Sequence, residues 1–511
     1  MGALITQETL ELAKAALGTP DNSVRKGITQ ASGLVAYNLE APSKKLVPVI
    51  TPLRNAIPRV QSGKGGTAVN WKAITGINTG SLASGVSEGN RGGVISTGTS
   101  SLLASYKGLG LEDNVSFEAG YAGRTFEDVR ALAVTNLLHA LMIQEERTIL
   151  GGNASLIALG TTPTPTVATS TSGGAIATGT VCSVVCVALT LDGFLNSTVS
   201  GGVAASISRT NADSSSDTYG GGSGQKSVAA NVTTGAGSAN SVTATVALVK
   251  GAFAYAWYMG TVGNEKLGQI TTINSVLFTT VPSSGQLASS MPSSDQSQNA
   301  LLFDGILPQT IGTGALTTYS TLSSCVISQG STGGLVGQMV TGTAGTGTPL
   351  TADGKGGIVE IDAMLKAFWD LYRLSPSVIW VNSQEAQNIL IKVLTATSSG
   401  ATRFVDSDLA GMRGGSMIRS YLNKFTMGGA AELPIKIHPN LPPGTILIQT
   451  ESLPYPLSNV PNVLEMDLRQ EYYQLEWQLR TRKYEYGVYV DEVLKHYFPS
   501  AFGVLTNIAN G

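Results

Sequence analysis

The chain has 511 residues, 61 of them glycine, and 13% charged side chains against about 25% in a typical soluble protein. Its 32 basic and 34 acidic residues give a net charge of -2, so it lacks the basic excess of a protein that grips nucleic acid through the phosphates. Such a length accommodates about three domains with real cores, and so little charge leaves few groups to repel a neighbouring copy, which points to self-association rather than a steered enzyme.

Taken in chain order, Thr6–Leu17 predicts a short helix with Leu10, Ala13 and Leu17 on one stripe and Gly18 and Pro20 ending it. Glu8 and Glu11, with no basic lead, argue against a signal peptide. Met1–Thr6 matches the short myristoylation pattern, which is too permissive to assign. Residues 20–60 have no period and read as an extended arm. Residues 60–107 read as a long hairpin: Val69–Ile74 alternates, Val94–Ser105 returns, and a Gly- and Ser-rich tip holds Glu88, Gly89, Asn90 and Arg91. It has little apolar content, and a lone two-stranded ribbon is marginal in water, so it must lie on something. Arg124–Leu150 predicts a helix of about 40 Å, with Thr125 as N-cap, Asp128 at N3, Val129, Leu132, Ala133, Leu137, Ala140 and Leu141 on one face, and Gly151-Gly152 as its stop.

Residues 151–350 carry ten Asp, Glu, Lys or Arg while the other 311 carry 56, a step in composition that marks a boundary. Within this block Val242–Val249, Ala252–Met259 and Thr271–Val281 read as short strands, with Ser214–Gly224 a Ser/Gly loop; together they predict an all-β sandwich with Phe253, Tyr255 and Trp257 as core anchors. Cys182 and Cys186 on a strand share a face at roughly 13 Å, too far to bridge. Further on, Asp362–Leu374 is an amphipathic helix ended by Pro376, Val378–Val381 a buried strand, and Ser383 caps a helix through Leu394. With strands Pro434–His438 and Gly444–Thr450 this is an α/β or α+β domain. From about Leu468 to Val493 the sequence alternates like one strand of roughly 55 Å, with its apolar phase flipping after Thr481, as at a bulge or a change of exposed face.

Signs of chemistry are few. His139 reads as helix-packing, His438 as solvated or backbone-bonded, and His496 as structural; none has zinc spacing with Cys or His. There is no G-x-S-x-G elbow. Gly63-Lys64-Gly65-Gly66-Thr67 and Asp353–Gly357 miss the phosphate-loop pattern and read as loops. Glu112-Asp113 and Asp491-Glu492 read as solvated charge. No cofactor, metal or catalytic residue is expected, and no membrane span, since no run of about 18 apolar residues occurs.

The order of these parts (arm, long Gly-tipped hairpin, lone long helix, α/β domain, long final strands) resembles the tailed-bacteriophage major capsid protein of the Hong Kong 97 type. Phe303–Leu307, Thr351–Gly354 with Ile358–Asp362, Ser375–Asn382 and Tyr484–Asp491 are the stretches that carry the likeness. It covers roughly residues 1–160 and 299–511, and residues 161–298 look like an inserted immunoglobulin-like domain. The resemblance implies an α+β fold partitioned as N-terminal arm 1–60, extended hairpin loop 61–108, peripheral domain with spine helix 109–160 and 451–511, inserted β-sandwich 161–298 and axial domain 299–450.

In function it implies a non-enzymatic shell subunit that forms pentamers and hexamers around double-stranded DNA, with a separate scaffolding protein and a portal as partners. DNA would be contacted weakly and without sequence specificity, in a virion assembled in the bacterial cytoplasm. Trp71, Lys72, Glu88, Arg91, Arg480 and Arg482 are the inter-subunit candidates. Some members of that family join Lys to Asn; Lys64 or Lys72 would be the donor, with no Asn or carboxylate assigned. The alternative is a surface adhesin whose sandwich holds carbohydrate on Phe253, Tyr255 and Trp257.

Overall fold

The computed structural model describes residues 42–61, 65–77, 85–124, 126–211, 214–395, 418–479 and 481–511. The expected helix at Thr6–Leu17, most of the expected arm, Gly63-Lys64, Thr125 and Arg480 lie outside the described residues. The chain divides into two compact units: the described parts of Met1–Pro48, Asp113–Asn136 and Glu476–Tyr486 form one, and those of Val49–Glu112, Leu137–Leu475 and Gly487–Gly511 the other.

The end of the expected arm is structured. A short helix α1 (Pro52–Ala56) opens on Pro52, whose missing N–H costs nothing at that position, and strand β1 (Arg59–Gln61) follows. The hairpin is formed by β2 (Ala68–Ile77) and β3 (Thr97–Ser105), antiparallel with Trp71 opposite Leu102. Its return strand starts three residues later than expected, because Val94 and Ile95 stay in the loop that follows Gly92-Gly93. Then come β4 (Lys107–Ser116) and α2 (Phe117–Ala122), capped by Ser116 Oγ accepting from the Ala119 N–H at 3.2 Å.

The long helix α3 runs Val129–Gly151, 23 residues or about 35 Å. It starts later than expected because Asp128 is itself the cap: its Oδ1 accepts from the N–H groups of Arg130 at 3.0 Å and Ala131 at 3.3 Å. Ala133, Leu137 and Leu141 are buried as the periodicity requires, whereas Ala140 is exposed.

The charge-poor block is almost entirely β. It contains β5 (Thr166–Ser170), β6 (Val181–Leu189), a short α4 (Leu191–Asn196), β7 (Ile207–Thr210), β8 (Ser216–Tyr219) and β9 (Ala230–Thr233). After these come β10 (Ser241–Thr245), β11 (Ala254–Thr261), β12 (Asn264–Thr271) and β13 (Ser275–Phe278). They form an antiparallel sheet of order β13-β10-β5, a second of order β12-β11-β6-β9 and the separate pair β7-β8. Ser214–Gly224 is therefore not a plain loop: Ser216–Tyr219 pairs with Ile207–Thr210, since Thr and Tyr favour strand once a partner is present. Every residue from Ala254 to Gly260 is buried, so β11 is covered on both faces rather than alternating. Cys182 and Cys186 lie on β6, both free and buried.

The remaining elements are α5 (Ile306–Ile311), β14 (Thr317–Thr321), β15 (Cys325–Gln329), β16 (Leu335–Met339), α6 (Val359–Tyr372), β17 (Val378–Val381) and α7 (Ser383–Thr395). They are followed by β18 (Ser420–Asn423), β19 (Ala431–Ile437), β20 (Ile446–Gln449), β21 (Leu464–Glu476), β22 (Lys483–His496) and β23 (Phe502–Thr506). Helix α6 ends at Arg373 in the left-handed conformation (φ 55°), ahead of Pro376. Asn382, rather than Ser383, caps α7, with its Oδ1 accepting from the Gln384 N–H at 2.9 Å.

An eight-stranded mixed sheet has the order β14-β15-β16-β23-β20-β17-β19-β18, with α5 on β16 and β23, α6 on β16 and α7 on β19. Its centre holds β23, parallel to β16 and antiparallel to β20. The end of the chain thus completes the sheet of residues 317–449, a join that a partition at residue 450 separates.

The expected single 55 Å strand is two strands. β21 and β22 are neighbours in the sheet β1-β21-β22-β4. Tyr473 stacks on Tyr489 at 5.8 Å, and the Trp477 N–H donates to the Glu485 carbonyl at 3.1 Å. The phase flip marks a reversal of direction, which alternation alone does not distinguish from a bulge.

Candidate functional site

The hairpin β2-β3 forms a two-stranded sheet of its own. Near its base Val69, Trp71 and Ala73 share a half-buried face with Ser100, Leu102 and Ala104. Trp71 meets Tyr497 edge-on at 5.8 Å, and the Lys495 ammonium lies 5.7 Å from the Trp71 ring and 4.6 Å from the Tyr497 ring. The Tyr106 N–H donates to the Thr67 carbonyl at 3.0 Å, and its hydroxyl to Asp467 at 2.7 Å, which pins the returning chain. Beyond this anchor Ile74 is 70% exposed and Ile77 56%, and beside it, on the opposite face, Leu103 is 65% exposed. Val94 in the connecting loop is 97% exposed.

The six inter-subunit candidates fall in separate places. Trp71 anchors the hairpin to its own chain, and Lys72 points to the opposite, exposed face. Glu88 and Arg91 are exposed in the loop of residues 85–96, where the Asn90 N–H donates to the Ser87 carbonyl at 3.0 Å. Arg482 pairs with Glu118 at 2.8 Å, both largely exposed, and Arg480 lies outside the described residues. The aromatic trio proposed for sugar binding is unavailable: Phe253, Tyr255 and Trp257 are all buried, with the Tyr255 and Trp257 rings 6.4 Å apart.

One cluster goes unread in the sequence. Glu145 and Glu146, adjacent on α3, are both fully buried. Glu146 caps α1 from 93 residues away, its Oε1 accepting from the Leu53 N–H at 2.9 Å and its Oε2 from the Arg54 N–H at 2.7 Å. The same Oε1 lies 2.6 Å from His438 Nε2, and His438 Nδ1 accepts from the Asn440 N–H at 3.2 Å, so Nε2 is the donor. His438 is thus backbone-bonded through Nδ1, as one of its two expected roles, but it is buried and paired with a carboxylate rather than solvated. The loop at Pro439 turns the ring inward, toward a partner 292 residues away.

Arg54 Nε donates to Glu145 Oε2 at 2.9 Å, and Arg54 Nη2 to the Tyr472 hydroxyl at 3.0 Å. Arg59 pairs with Glu145 and reaches Glu492 at 3.4 Å, and Tyr472 also donates to Glu145. Both guanidinium groups lie over the Tyr472 ring, at 5.3 Å and 5.5 Å. Glu492, expected as solvated, is fully buried, and burial outweighs Arg59 and Arg54 to push its carboxyl up to about 7. A sequence signal is available: two adjacent carboxylates sit within one helix between the apolar Leu141-Met142-Ile143 and Ile149-Leu150.

Nearby, Tyr489 lies over two glycines. A Cβ at Gly110 would come 2.1 Å from its Cδ1, and one at Gly487 2.5 Å from its Cε2. The Tyr489 hydroxyl donates to Glu112, and Arg469 pairs with Asp491 at 2.6 Å. Among the described residues no group of three His, Cys, Asp or Glu is placed to hold a metal ion, and no helix is long and apolar enough to cross a membrane. A groove of about 270 Å³ beside β12 and β13, between Val199, Gln269, Thr280 and Ser284, is lined by no titratable side chain.

No family model and no curated protein matches the sequence. Among solved structures, the chain is similar to the capsid of a native GTA particle at 10% identity, covering 92% of this chain and 94% of that one, with a TM-score of 0.41. It is similar to the capsid of Myoviridae phage XM1 at 9% identity, over 92% and 95% of the two chains, with a TM-score of 0.38. It is also similar to the procapsid of satellite phage P4 at 10% identity, over 99% of both chains, with a TM-score of 0.34.

Proposed function

We propose that the chain is the major capsid protein of a tailed bacteriophage, a non-enzymatic subunit that builds pentamers and hexamers of an icosahedral shell enclosing double-stranded DNA. The observation that carries this reading is the hairpin. It is fastened at its base by Trp71, yet it presents Ile74 and Ile77 distally, and Leu103 on the outer face of its base, to solvent with no core of its own. A lone ribbon of this kind gains its stability by lying on another surface, and heterologous contacts of one patch with a different patch close into rings. The near-zero net charge suits a container whose wall touches DNA weakly. On this reading residues 161–298 form a sandwich on the exterior, the arm, hairpin, peripheral and axial parts follow the expected partition with β23 joining the axial sheet, and a separate scaffolding protein and a portal are partners. The particle is a virion assembled in the bacterial cytoplasm.

Electron microscopy of the purified protein tests this. Rings or closed shells are expected, and a variant carrying both Ile74→Lys and Leu103→Lys should keep the parent's circular dichroism and thermal transition while assembling no particles. A parent that stays monomeric at every concentration, or a double variant that assembles normally, overturns the proposal.

A further inference from the structure

The buried cluster that holds residues 49–61 contains an unequal number of charges. Glu145, Glu146 and Glu492 face Arg54 and Arg59, and His438, whose Nδ1 accepts from the Asn440 N–H, sits on Glu146 as a neutral imidazole; with the carboxyls and guanidinium groups all ionised, one negative charge is left over in a place shielded from solvent. The groups facing Glu492 are Arg54 from α1, Arg59 from β1, Glu145 from α3 and Tyr472 from β21. Glu492 Oε2 lies 3.4 Å from Arg59, and its Oε1 has no hydrogen-bond partner among the described residues. Glu145 takes the shorter contacts of both arginines, and Glu146 is committed to two backbone N–H groups and His438. Glu492 is therefore the carboxyl least compensated and the place where one added proton brings the cluster to neutrality.

We infer that this cluster is a pH-sensitive fastener for residues 49–61, with Glu492 holding a proton while the segment is docked and releasing it to solvent when the segment lifts away. The inference stands whatever the chain assembles into. Its sign follows from linkage. Burial raises the docked carboxyl from 4.5 to about 7, so the docked form binds the extra proton and the open form does not. Docking is strongest below about 4.5, weakens as pH rises through the interval, and levels off above about 7. β1 is a three-residue edge strand with the Met466 N–H donating to the Pro58 carbonyl at 2.9 Å, and the buried side chains of Leu53 and Ile57 hold the segment alongside the charges.

Hydrogen–deuterium exchange of the full chain tests the inference. Protection of the peptide 49–61, corrected for the intrinsic exchange rate, is measured from pH 5 to 8.5, with helix α6 as reference. The parent should lose protection in this peptide relative to α6, by up to about tenfold per pH unit, until near neutrality. Glu492→Gln, which carries the neutral shape permanently, should show protection that does not change with pH. A flat profile in the parent, or the parent's pH dependence persisting in E492Q, overturns the inference. Should E492Q fail to fold, the parent's profile decides: loss confined to 49–61 sustains it, and loss shared equally with α6 refutes it.

Discussion

His496 offers a test with a worked magnitude. It ends β22, is 2% exposed, and meets Phe502 edge-on at 4.6 Å, with neither ring nitrogen having a hydrogen-bond partner among the described residues. Burial depresses its ionisation from 6.5 to about 3, because nothing nearby compensates an imidazolium. The unfolded chain therefore takes up a proton below 6.5 that the folded chain refuses until about 3, and folding loses stability as pH falls through that interval. The slope is about 1.4 kcal/mol per pH unit. Replacing the ring by a side chain of similar volume, His496→Leu, removes both the unpaired nitrogens and the titration. At pH 8 the variant should be more stable by about 1–3 kcal/mol, the usual cost of an unsatisfied buried polar group. By pH 5 the gap should widen by a further ~2 kcal/mol, from about 1.5 pH units at that slope. Urea unfolding of parent and variant at pH 8, 7, 6 and 5 measures the difference directly, and other titrating groups cancel between the two. A gap that stays constant from pH 8 to 5, or a variant less stable than its parent at pH 8, would refute the reasoning.

Two further outcomes are expected. Gly110→Ala places a Cβ 2.1 Å from the Tyr489 ring and must expel that ring from its contact with Glu112; a loss of about 1–3 kcal/mol in thermal unfolding is expected. In a Tyr489→Ala background the penalty should largely vanish, and a penalty of equal size there would exclude the ring as its cause. Glu146→Gln turns one of the two oxygens that serve Leu53, Arg54 and His438 into a donor facing donors. This should cost about 1–3 kcal/mol and open residues 49–61 to protease before the rest of the chain; an unchanged melting temperature and digestion pattern would contradict the capping role of Glu146.

What the sequence disclosed was local. The i, i+3, i+4 spacing of Ala133, Leu137 and Leu141 located α3, and the apolar run Val378–Val381 located β17 over its full length. The alternation of Val69, Trp71 and Ala73 found the hairpin, and four-residue spacing on a strand explained why Cys182 and Cys186 stay unbridged. What stayed hidden depends on residues far apart in the chain. His438 and Glu146 are separated by 292 positions and Arg59 and Glu492 by 433, so nothing near either partner announces the pairing. His438 reads as solvated or backbone-bonded and Glu492 as solvated, because a polar residue beside Pro439 or Asp491 carries no sign of what packs over it. Likewise, the reversal between β21 and β22 lacks the Gly or Pro that would have marked it, since residues 477–482 read Trp-Gln-Leu-Arg-Thr-Arg.

The position of β23 has a consequence for synthesis. Its neighbours β16 and β20 are made well before residues 502–506 leave the ribosome, and until then each exposes a bare edge lined by Leu335, Val336, Ile446 and Ile448. The nascent chain thus carries an open slot at the middle of its largest sheet, a template for strands of other chains at the high local concentration of a polysome. Closing that slot waits on residues 502–506, and a holdase that covers it should raise the yield of native chain more than one acting on the β5–β13 block, all of whose strands are complete by residue 278.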